Sequence, residues 1–204
     1  KIELNQALQY HLNEIFLAYN LGDYSVALGS HDTEASGKYS FAFGGETGFG
    51  NRAQALGDDS IAWGKQTEAT AVNSIAIGYL AKATGVRATA FGGNNSVASG
   101  QDSMGLNGGQ AIGNHSLVIG GFLPNGAKAD GEKSIAIGWD CSATNLSSIS
   151  IGTTNNSTGV MSIALGTLNN STQSIAIGER NIANGVAAVA IGKANEATGL
   201  NNNN

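Results

Sequence analysis

Residues 74–78 of the chain read Ser-Ile-Ala-Ile-Gly, a small residue followed by two apolar residues that alternate with a second small residue and a closing glycine. The same pattern recurs along most of the chain. The closing glycines mostly follow one another at a 14-residue interval, as from Gly64 to Gly78 and from Gly78 to Gly92. A fixed short period of this kind is typical of a solenoid. The clear copies end at Gly29, Gly44, Gly64, Gly78, Gly92, Gly120, Gly138, Gly152, Gly166, Gly178 and Gly192.

Each 14-residue unit is predicted to contain two short strands and two turns. The alternation in residues 74–78 fits one strand, and residues 81–85, Ala-Lys-Ala-Thr-Gly, fit a second strand that ends in a turn glycine. A helix cannot keep a 14-residue period that two glycines interrupt. We therefore expect about twelve stacked parallel rungs, which at about 4.8 Å per rung would form a thin rod on the order of 55–60 Å long.

The alternation also predicts which residues face the interior. Side chains alternate across a strand, so Ile75 and Ile77 point to one face and Ala76 to the other. Ala81 and Ala83 of the second strand can face Ala76 across a narrow roll, which leaves the large apolar residues as a continuous stripe on the outside. We expect this stripe to meet other chains, as in a trimer, because it exceeds the apolar patch usual for a monomer. A dimer and the reverse assignment of faces remain alternatives at this stage. The predicted interface residues are Ile75, Ile77, Ile135, Ile137, Ile163, Leu165, Ile175 and Ile177.

Composition argues against several classes of function. Glycine contributes 30 of 204 residues, the net charge is −5, and the ten Lys and Arg residues are scattered singly, which disfavours nucleic-acid binding. The apolar runs are too short for a spanning helix, so we expect no membrane contact by this segment. No motif suggests catalysis or a cofactor. His11, His31 and His115 share no slot of the repeat, which disfavours a metal site.

Residues 73–78, Asn-Ser-Ile-Ala-Ile-Gly, resemble the Asn-Ser-Val-Ala-Ile-Gly motif of the YadA-like head of trimeric autotransporter adhesins, and shorter copies begin at Ser134 and Ser174. The resemblance covers roughly residues 25–199. It implies an all-β, left-handed parallel β-roll that forms a homotrimer outside the outer membrane, on a bacterial cell surface. It further implies a virulence-type role in adhesion to host extracellular-matrix proteins or cell-surface receptors. A structural or receptor-binding segment of a phage tail fibre is the alternative, because similar repeats occur there.

The chain is predicted to divide into three parts: an N-terminal helical segment or cap (residues 1–22), the β-roll head (23–200) and a short tail (201–204). The helix would end before Gly22, with Asn5, Leu12 and Tyr19 in one heptad position and Leu8 and Ile15 in the other. The alternative is an irregular cap in which residues 17–20 form a degenerate strand.

The candidate ligand-binding residues lie where the repeat is interrupted or where an aromatic residue follows a closing glycine. The interval between Gly120 and Gly138 is longer than the regular one, and the additional residues include Phe122, Leu123 and Pro124. They can project as a binding loop or fold over the rung beneath as a plug. Tyr79 and Trp139 occupy the first turn position after a closing glycine, so we expect their rings on the outer surface.

The remaining polar candidates are interpreted as turn residues. Cys141 stands three residues after Gly138, in the slot that holds Asn155 in the next unit, and is expected to be a small turn residue rather than a reactive thiol. The acidic pairs Asp58-Asp59 and Asp32 with Glu34 follow closing positions of the repeat. We expect them to be solvated charges, because nothing in the pattern gives them a partner of fixed geometry.

Overall fold

The computed structural model describes residues 19–29, 32–44, 52–121 and 126–199, and these residues contain strands and turns but no helix. It follows that none of the described residues forms a helix able to cross a membrane. The strands, in chain order, are β1 (Tyr19–Asn20), β2 (Val26–Gly29), β3 (Glu34–Ala35), β4 (Phe41–Gly44), β5 (Gln54–Ala55), β6 (Ile61–Trp63), β7 (Glu68–Ala69), β8 (Ile75–Ile77), β9 (Lys82–Ala83), β10 (Thr89–Phe91), β11 (Val97–Ala98), β12 (Met104–Leu106), β13 (Gln110–Ala111), β14 (Leu117–Ile119), β15 (Lys128–Ala129), β16 (Ile135–Trp139), β17 (Ser142–Ala143), β18 (Ile149–Thr153), β19 (Asn156–Ser157), β20 (Ile163–Thr167), β21 (Asn170–Thr172), β22 (Ile175–Glu179), β23 (Ile182–Asn184), β24 (Val189–Lys193) and β25 (Glu196–Thr198).

The strands form two parallel sheets that the chain visits alternately. The odd-numbered strands, of two or three residues, form a 13-stranded sheet that we call the short-strand sheet. The even-numbered strands, of three to five residues, form a 12-stranded sheet that we call the long-strand sheet. Equivalent residues of successive units pair in register, for example Ala62 with Ala76 and Ala76 with Ala90. The predicted parallel β-solenoid, with its short and regular repeat, is thereby confirmed.

Small side chains fill the space between the two sheets. Ala76 of the long-strand sheet and Ala83 of the short-strand sheet are both fully buried, as the alternation predicted. Val118 is the largest of the fully buried side chains in the described residues. A Cβ atom on Gly109 would overlap Cγ1 of Val118, so this glycine makes room for the larger residue. The roll is therefore too thin to bury Ile or Leu inside, and these residues lie outside.

The serine that opens the repeat pattern contributes a hydrogen bond as well as a small volume. In several rungs its hydroxyl donates to the carbonyl oxygen three residues earlier, as in Ser74 to Ala71 (2.7 Å) and Ser134 to Gly131 (2.6 Å). Both serines are fully buried, so each bond satisfies a hydroxyl that burial would otherwise leave without a partner. In these rungs the same bond also satisfies a carbonyl of the turn that precedes the long strand, whereas the buried hydroxyls of Ser40, Ser60 and Ser116 have no hydrogen-bond partner among the described residues.

Both turns of the rung require a residue in the left-handed backbone region. Non-glycine residues occupy many of these positions, including Asn73 (φ 57°), Arg87 (φ 56°) and Met161 (φ 55°). This conformation costs an L-residue roughly 1–2 kcal/mol. It persists because in-register pairing of the neighbouring rungs fixes the geometry of each turn.

The closing glycines are required for two reasons that act together. Gly78 has φ 125° and Gly138 has φ 121°, values that L side chains rarely adopt. A Cβ atom on either residue would also overlap the carbonyl oxygen of the closing glycine in the next rung. A positive φ and a close approach of the neighbouring backbone therefore both require glycine at these positions.

The predicted N-terminal helix is wrong where the structure describes it. Tyr19–Asn20 forms β1 and pairs in parallel with β3, so the roll already includes residues that the helix was expected to contain. The strand alternative for residues 17–20 is confirmed for Tyr19 and Asn20. The rest of the predicted helix, residues 1–18, and the tail, residues 201–204, lie outside the described residues.

Candidate functional site: assembly and binding surfaces

The outward face of the long-strand sheet is apolar along its whole length. The first and third residues of each of its 12 strands point outward, and of these 24 positions only Thr89 is polar. The five-residue strands end, beyond these two positions, in Trp139, Thr153, Thr167, Glu179 and Lys193. In-register pairing places these side chains in two continuous columns, as in the run Ile135, Ile149, Ile163. The eight residues predicted to form a trimer interface all lie in these columns and are half-buried in the single chain. Their contact with another chain stays a prediction.

The N-terminal part of this face carries large aromatic residues. Phe43 and Trp63 pack edge to face with ring centroids 5.4 Å apart, and they keep 40% and 51% of their surface exposed. Phe91 follows two rungs later with 52% exposure. Exposing several large rings in one column to water costs more free energy than exposing scattered apolar residues. Burial of this column against another surface is therefore favoured.

The outward face of the short-strand sheet is polar. Gln54 donates to Glu34 through its side-chain amide (3.1 Å), and Lys82 forms an ion pair with Glu68 (2.9 Å). These contacts join residues of successive rungs, because the side chains stand in one outward column. The two faces of the roll thus differ in polarity, and only the long-strand face has the composition of a protein interface.

Two of the predicted ligand-binding residues lie on the outer surface, as expected. Tyr79 is 42% exposed and Trp139 is 50% exposed. The ammonium group of Lys65 lies 5.8 Å from the centroid of the Tyr79 ring. Ligand contact by either ring stays a prediction.

The other three predicted ligand-binding residues, Phe122, Leu123 and Pro124, fall outside the described residues. The residues on either side of this segment are close together: the backbone N–H of Ala127 donates to the carbonyl oxygen of Gly120 (3.3 Å). The described ends of the turn between β14 and β15 are therefore hydrogen-bonded to each other.

The slot three residues after the closing glycine, in which Ala81 was expected to face inward, also directs the side chains of Cys141 and Asn155 into the roll at the end of the turn. Both side chains are only 1% exposed. The left-handed residue that precedes this slot, such as Thr154 (φ 53°), redirects the chain so that the next side chain points inwards. Burial raises the pKa of the Cys141 thiol, so the thiolate that nucleophilic chemistry needs is disfavoured.

From Asn155 onward this inward slot forms an asparagine ladder, defined as Asn155, Asn169, Asn181 and Asn195. The amide of Asn155 donates to the carbonyl oxygens of Ile151 (2.6 Å) and Gly166 (2.7 Å). Asn169 repeats this arrangement with Leu165 and Gly178. Sequence reasoning missed the ladder, although the recurrence of Asn at one offset from the closing glycine was a visible signal.

The acidic residues of the turns support the structure rather than chemistry. Asp58 accepts a hydrogen bond from the backbone N–H of Lys38 (2.8 Å), so it joins two rungs. Asp102 accepts two hydrogen bonds from Arg87, and these bonds hold the pKa of its carboxyl at about 2. The ring of His115 lies 3.5 Å from the same carboxylate. Among the described residues, no group of three or more His, Cys, Asp or Glu side chains is placed to hold a metal ion.

Comparison with protein families matches most of the chain to one model. The model describes the YadA head domain repeat, and successive copies match residues 21–47, 47–67, 69–95, 125–140, 143–169 and 170–201. The chain belongs to the YadA head-repeat family. Its two-faced β-roll is thus the head-domain repeat of trimeric autotransporter adhesins, as the resemblance of residues 73–78 indicated. A comparison with curated protein sequences found no matching protein.

Family membership also indicates the general kind of protein to which this chain belongs. YadA head repeats are of an adhesive and structural kind, and the described residues fit that kind because their polar groups serve turns, ladders and surface pairs. The family is homotrimeric in general and belongs to bacterial surface proteins.

Proposed function

We propose that this chain is an adhesin head that assembles as a left-handed homotrimeric β-roll on a bacterial cell surface and binds host extracellular matrix or other cells. The observation that carries the proposal is the apolar face of the long-strand sheet. Twelve rungs at about 4.8 Å give this face a length of about 50 Å. A contiguous apolar face of that length marks an interaction site.

A trimer covers this face without using the rest of the surface. Around a threefold axis the same face of each chain meets its two copies, so one apolar face per chain is sufficient. The polar short-strand face then points outward on all three chains, and any weak ligand contact on it is repeated three times on one particle. This arrangement combines a rigid rod with a repeated binding surface, as adhesion requires.

The assembly is tested by replacing one residue of the apolar face and one residue of the opposite face in the same rung. Ile137→Asp would place three charges next to one another near the axis, at a cost of several kcal/mol each when buried and unpaired. We expect light scattering to give the mass of three chains for the wild-type protein and a loss of the trimer for Ile137→Asp. Ser142→Asp, on the short-strand face, is the matched control and should keep the trimer.

Adhesion is tested on the same three proteins. Soluble, fluorescently labelled wild-type protein should bind immobilised basement-membrane extract or epithelial monolayers, and the labelled Ser142→Asp control should bind as well. The labelled Ile137→Asp variant should bind far less, because a monomer lacks the threefold display of a trimer. A stable, soluble wild-type monomer would refute the assembly, and absence of binding to both surfaces would refute the adhesive role.

A further inference from the structure

The short-strand sheet carries a groove of about 390 Å³ near the N-terminal end of the described roll. It crosses four successive rungs, a distance of roughly 14 Å at about 4.8 Å per rung. Its volume lies within the range usual for small-molecule sites, roughly 300–1,000 Å³. The described residues that line the groove are Asp32, Arg52, Gln54, Gln66, Glu68, Lys82 and Leu80, and among them Leu80 supplies the one apolar side chain.

The groove lies away from the apolar face of the long-strand sheet, so it stays accessible when that face is covered. It also lies where the repeat is interrupted. Eight residues separate Gly44 from Ala53, whereas two residues separate Gly78 from Ala81 in the regular turn. Insertions in solenoids are often found on the binding face. Of the inserted stretch only Arg52 is described, and it lines the groove.

The lining combines hydrogen-bond donors and acceptors rather than charges of one sign. Lys82 is paired with Glu68, and Gln54 donates to Glu34 beside the groove. Such pairing leaves no uniform field for a simple anion or cation. Carboxylates accept, guanidinium and ammonium groups donate, and amides do both. A ligand rich in hydroxyl groups, each of which donates and accepts, matches this lining.

A peptide fits the groove less well. Extended peptides bind by adding a strand to a free sheet edge or by placing apolar side chains in pockets. The strands β5, β7 and β9 under the groove are paired within the sheet on both sides, so they offer no free edge. Leu80 alone offers little apolar surface.

We propose that this groove binds a neutral, hydroxyl-rich oligosaccharide, with Gln54 and Lys82 among the residues that contact it. The inference rests on the proposed adhesive function and specifies the ligand of one site in it. Each trimer would carry three such grooves on its outer surface. Binding of a single groove can then be weak, because adhesion would multiply it.

The test compares two double variants that remove the same residue types from the same outward column. Gln54→Ala/Lys82→Ala changes the groove, and Gln110→Ala/Lys128→Ala changes β13 and β15, whose lysine is also in an ion pair, with Asp130 (2.9 Å). The probe is a printed array of neutral and sialylated oligosaccharides. We expect the wild-type protein and the second double variant to bind neutral oligosaccharides. The groove variant should need at least about tenfold more protein for half-saturation, since loss at three copies is amplified.

Three results would overturn the inference. One is the absence of oligosaccharide binding by a wild-type trimer that still adheres to basement-membrane extract, a result that leaves the proposed function intact. Another is equal binding by both double variants, each shown by light scattering to be trimeric. A third is a groove-dependent adhesion that synthetic matrix peptides inhibit and free oligosaccharides do not. By contrast, groove-dependent oligosaccharide binding without adhesion to matrix or cells would support the site and count against the adhesive role.

Discussion

The side-chain carbonyl of Asn155 accepts a hydrogen bond from the backbone N–H of Asn169 (2.9 Å), one rung further along the roll. Asn169 is bonded to Asn181 in the same way, and Asn181 to Asn195. Each buried amide of the ladder therefore donates to carbonyl oxygens of two successive rungs, and its side-chain carbonyl oxygen accepts from the backbone N–H of the next asparagine. A ladder of this kind adds side-chain bonds in the interior to the backbone bonds that already join the turns of successive rungs, such as the bond from the Leu168 N–H to the carbonyl oxygen of Thr153 (2.9 Å).

The ladder predicts that Asn169→Ala destabilises the roll. The substitution removes both amide donors and leaves the carbonyl oxygens of Leu165 and Gly178 without these partners, at a cost of about 1–3 kcal/mol per buried unsatisfied group. Urea unfolding should show a lower midpoint. Asn195→Ala is the control, since Asn195 occupies the same slot but is exposed, and its effect should be small. Equal midpoints for Asn169→Ala and the wild type would contradict a stabilising ladder.

The geometry of the closing glycines predicts that replacing one of them lowers the stability of the roll. Gly138→Val would force a β-branched residue to φ 121° and bring its Cβ atom into the carbonyl oxygen of Gly152. We expect a loss of well over 1 kcal/mol and a lower melting temperature. Gly93→Val is the matched control, because no heavy atom lies within 4 Å of a Cβ atom at Gly93. Melting of both variants at the wild-type temperature would show that this rung does not require a glycine.

The insertion before β15 yields a prediction about ligand recognition. Deleting residues 122–125 restores the 14-residue spacing between closing glycines, and the proximity of Gly120 and Ala127 allows the turn to close. If Phe122, Leu123 and Pro124 form a binding loop, the deleted protein should remain a trimer with little change in melting temperature while its adhesion falls. Unchanged adhesion would reject the binding loop, and an unfolded product would favour the plug.

The pair formed by Arg87 and Asp102 predicts a pH effect whose sign follows from the lowered pKa. The pKa of the Asp102 carboxyl lies at about 2, below the ordinary 3.8, chiefly because Arg87 donates hydrogen bonds to it. The charged carboxylate is therefore favoured in the folded state. Its stabilising effect is complete above about pH 4 and is lost as the pH falls toward 2. The effect should weaken in high salt, since the pair is on the surface.

This pH effect is measured by following the Asp102 carboxyl carbon by NMR during an acid titration. Arg87→Met should raise the pKa of Asp102 toward 3.8. Lys133→Met removes a lysine whose ion pair is with Glu132, and it should leave the pKa of Asp102 nearly unchanged. A pKa near 2 in the Arg87→Met protein would show that another cause lowers it.

The sequence by itself determined the elements that depend on local periodicity. The 14-residue spacing of closing glycines predicted stacked parallel rungs, and the alternation in residues 74–78 predicted that Ala76 faces inward and Ile77 outward. These predictions succeeded because a strand offers each side chain only two directions. The motif of residues 73–78 also indicated the family. Exposure of Tyr79 and Trp139 followed from their place directly after a closing glycine.

The tertiary structure decided the features that depend on how a turn is bent and on which rungs are neighbours. The hydrogen bonds of Asn155 depend on the left-handed residue before it, because this bend and the stacking of rungs bring its amide within reach of the carbonyl oxygens of Ile151 and Gly166. The groove depends on which strands are neighbours in the sheet. Gln54 and Lys82 are distant in sequence and reach the same face only through the pairing of β5 with β7 and of β7 with β9. Stacking brings such residues together, and periodicity alone does not show which of them will face a common ligand.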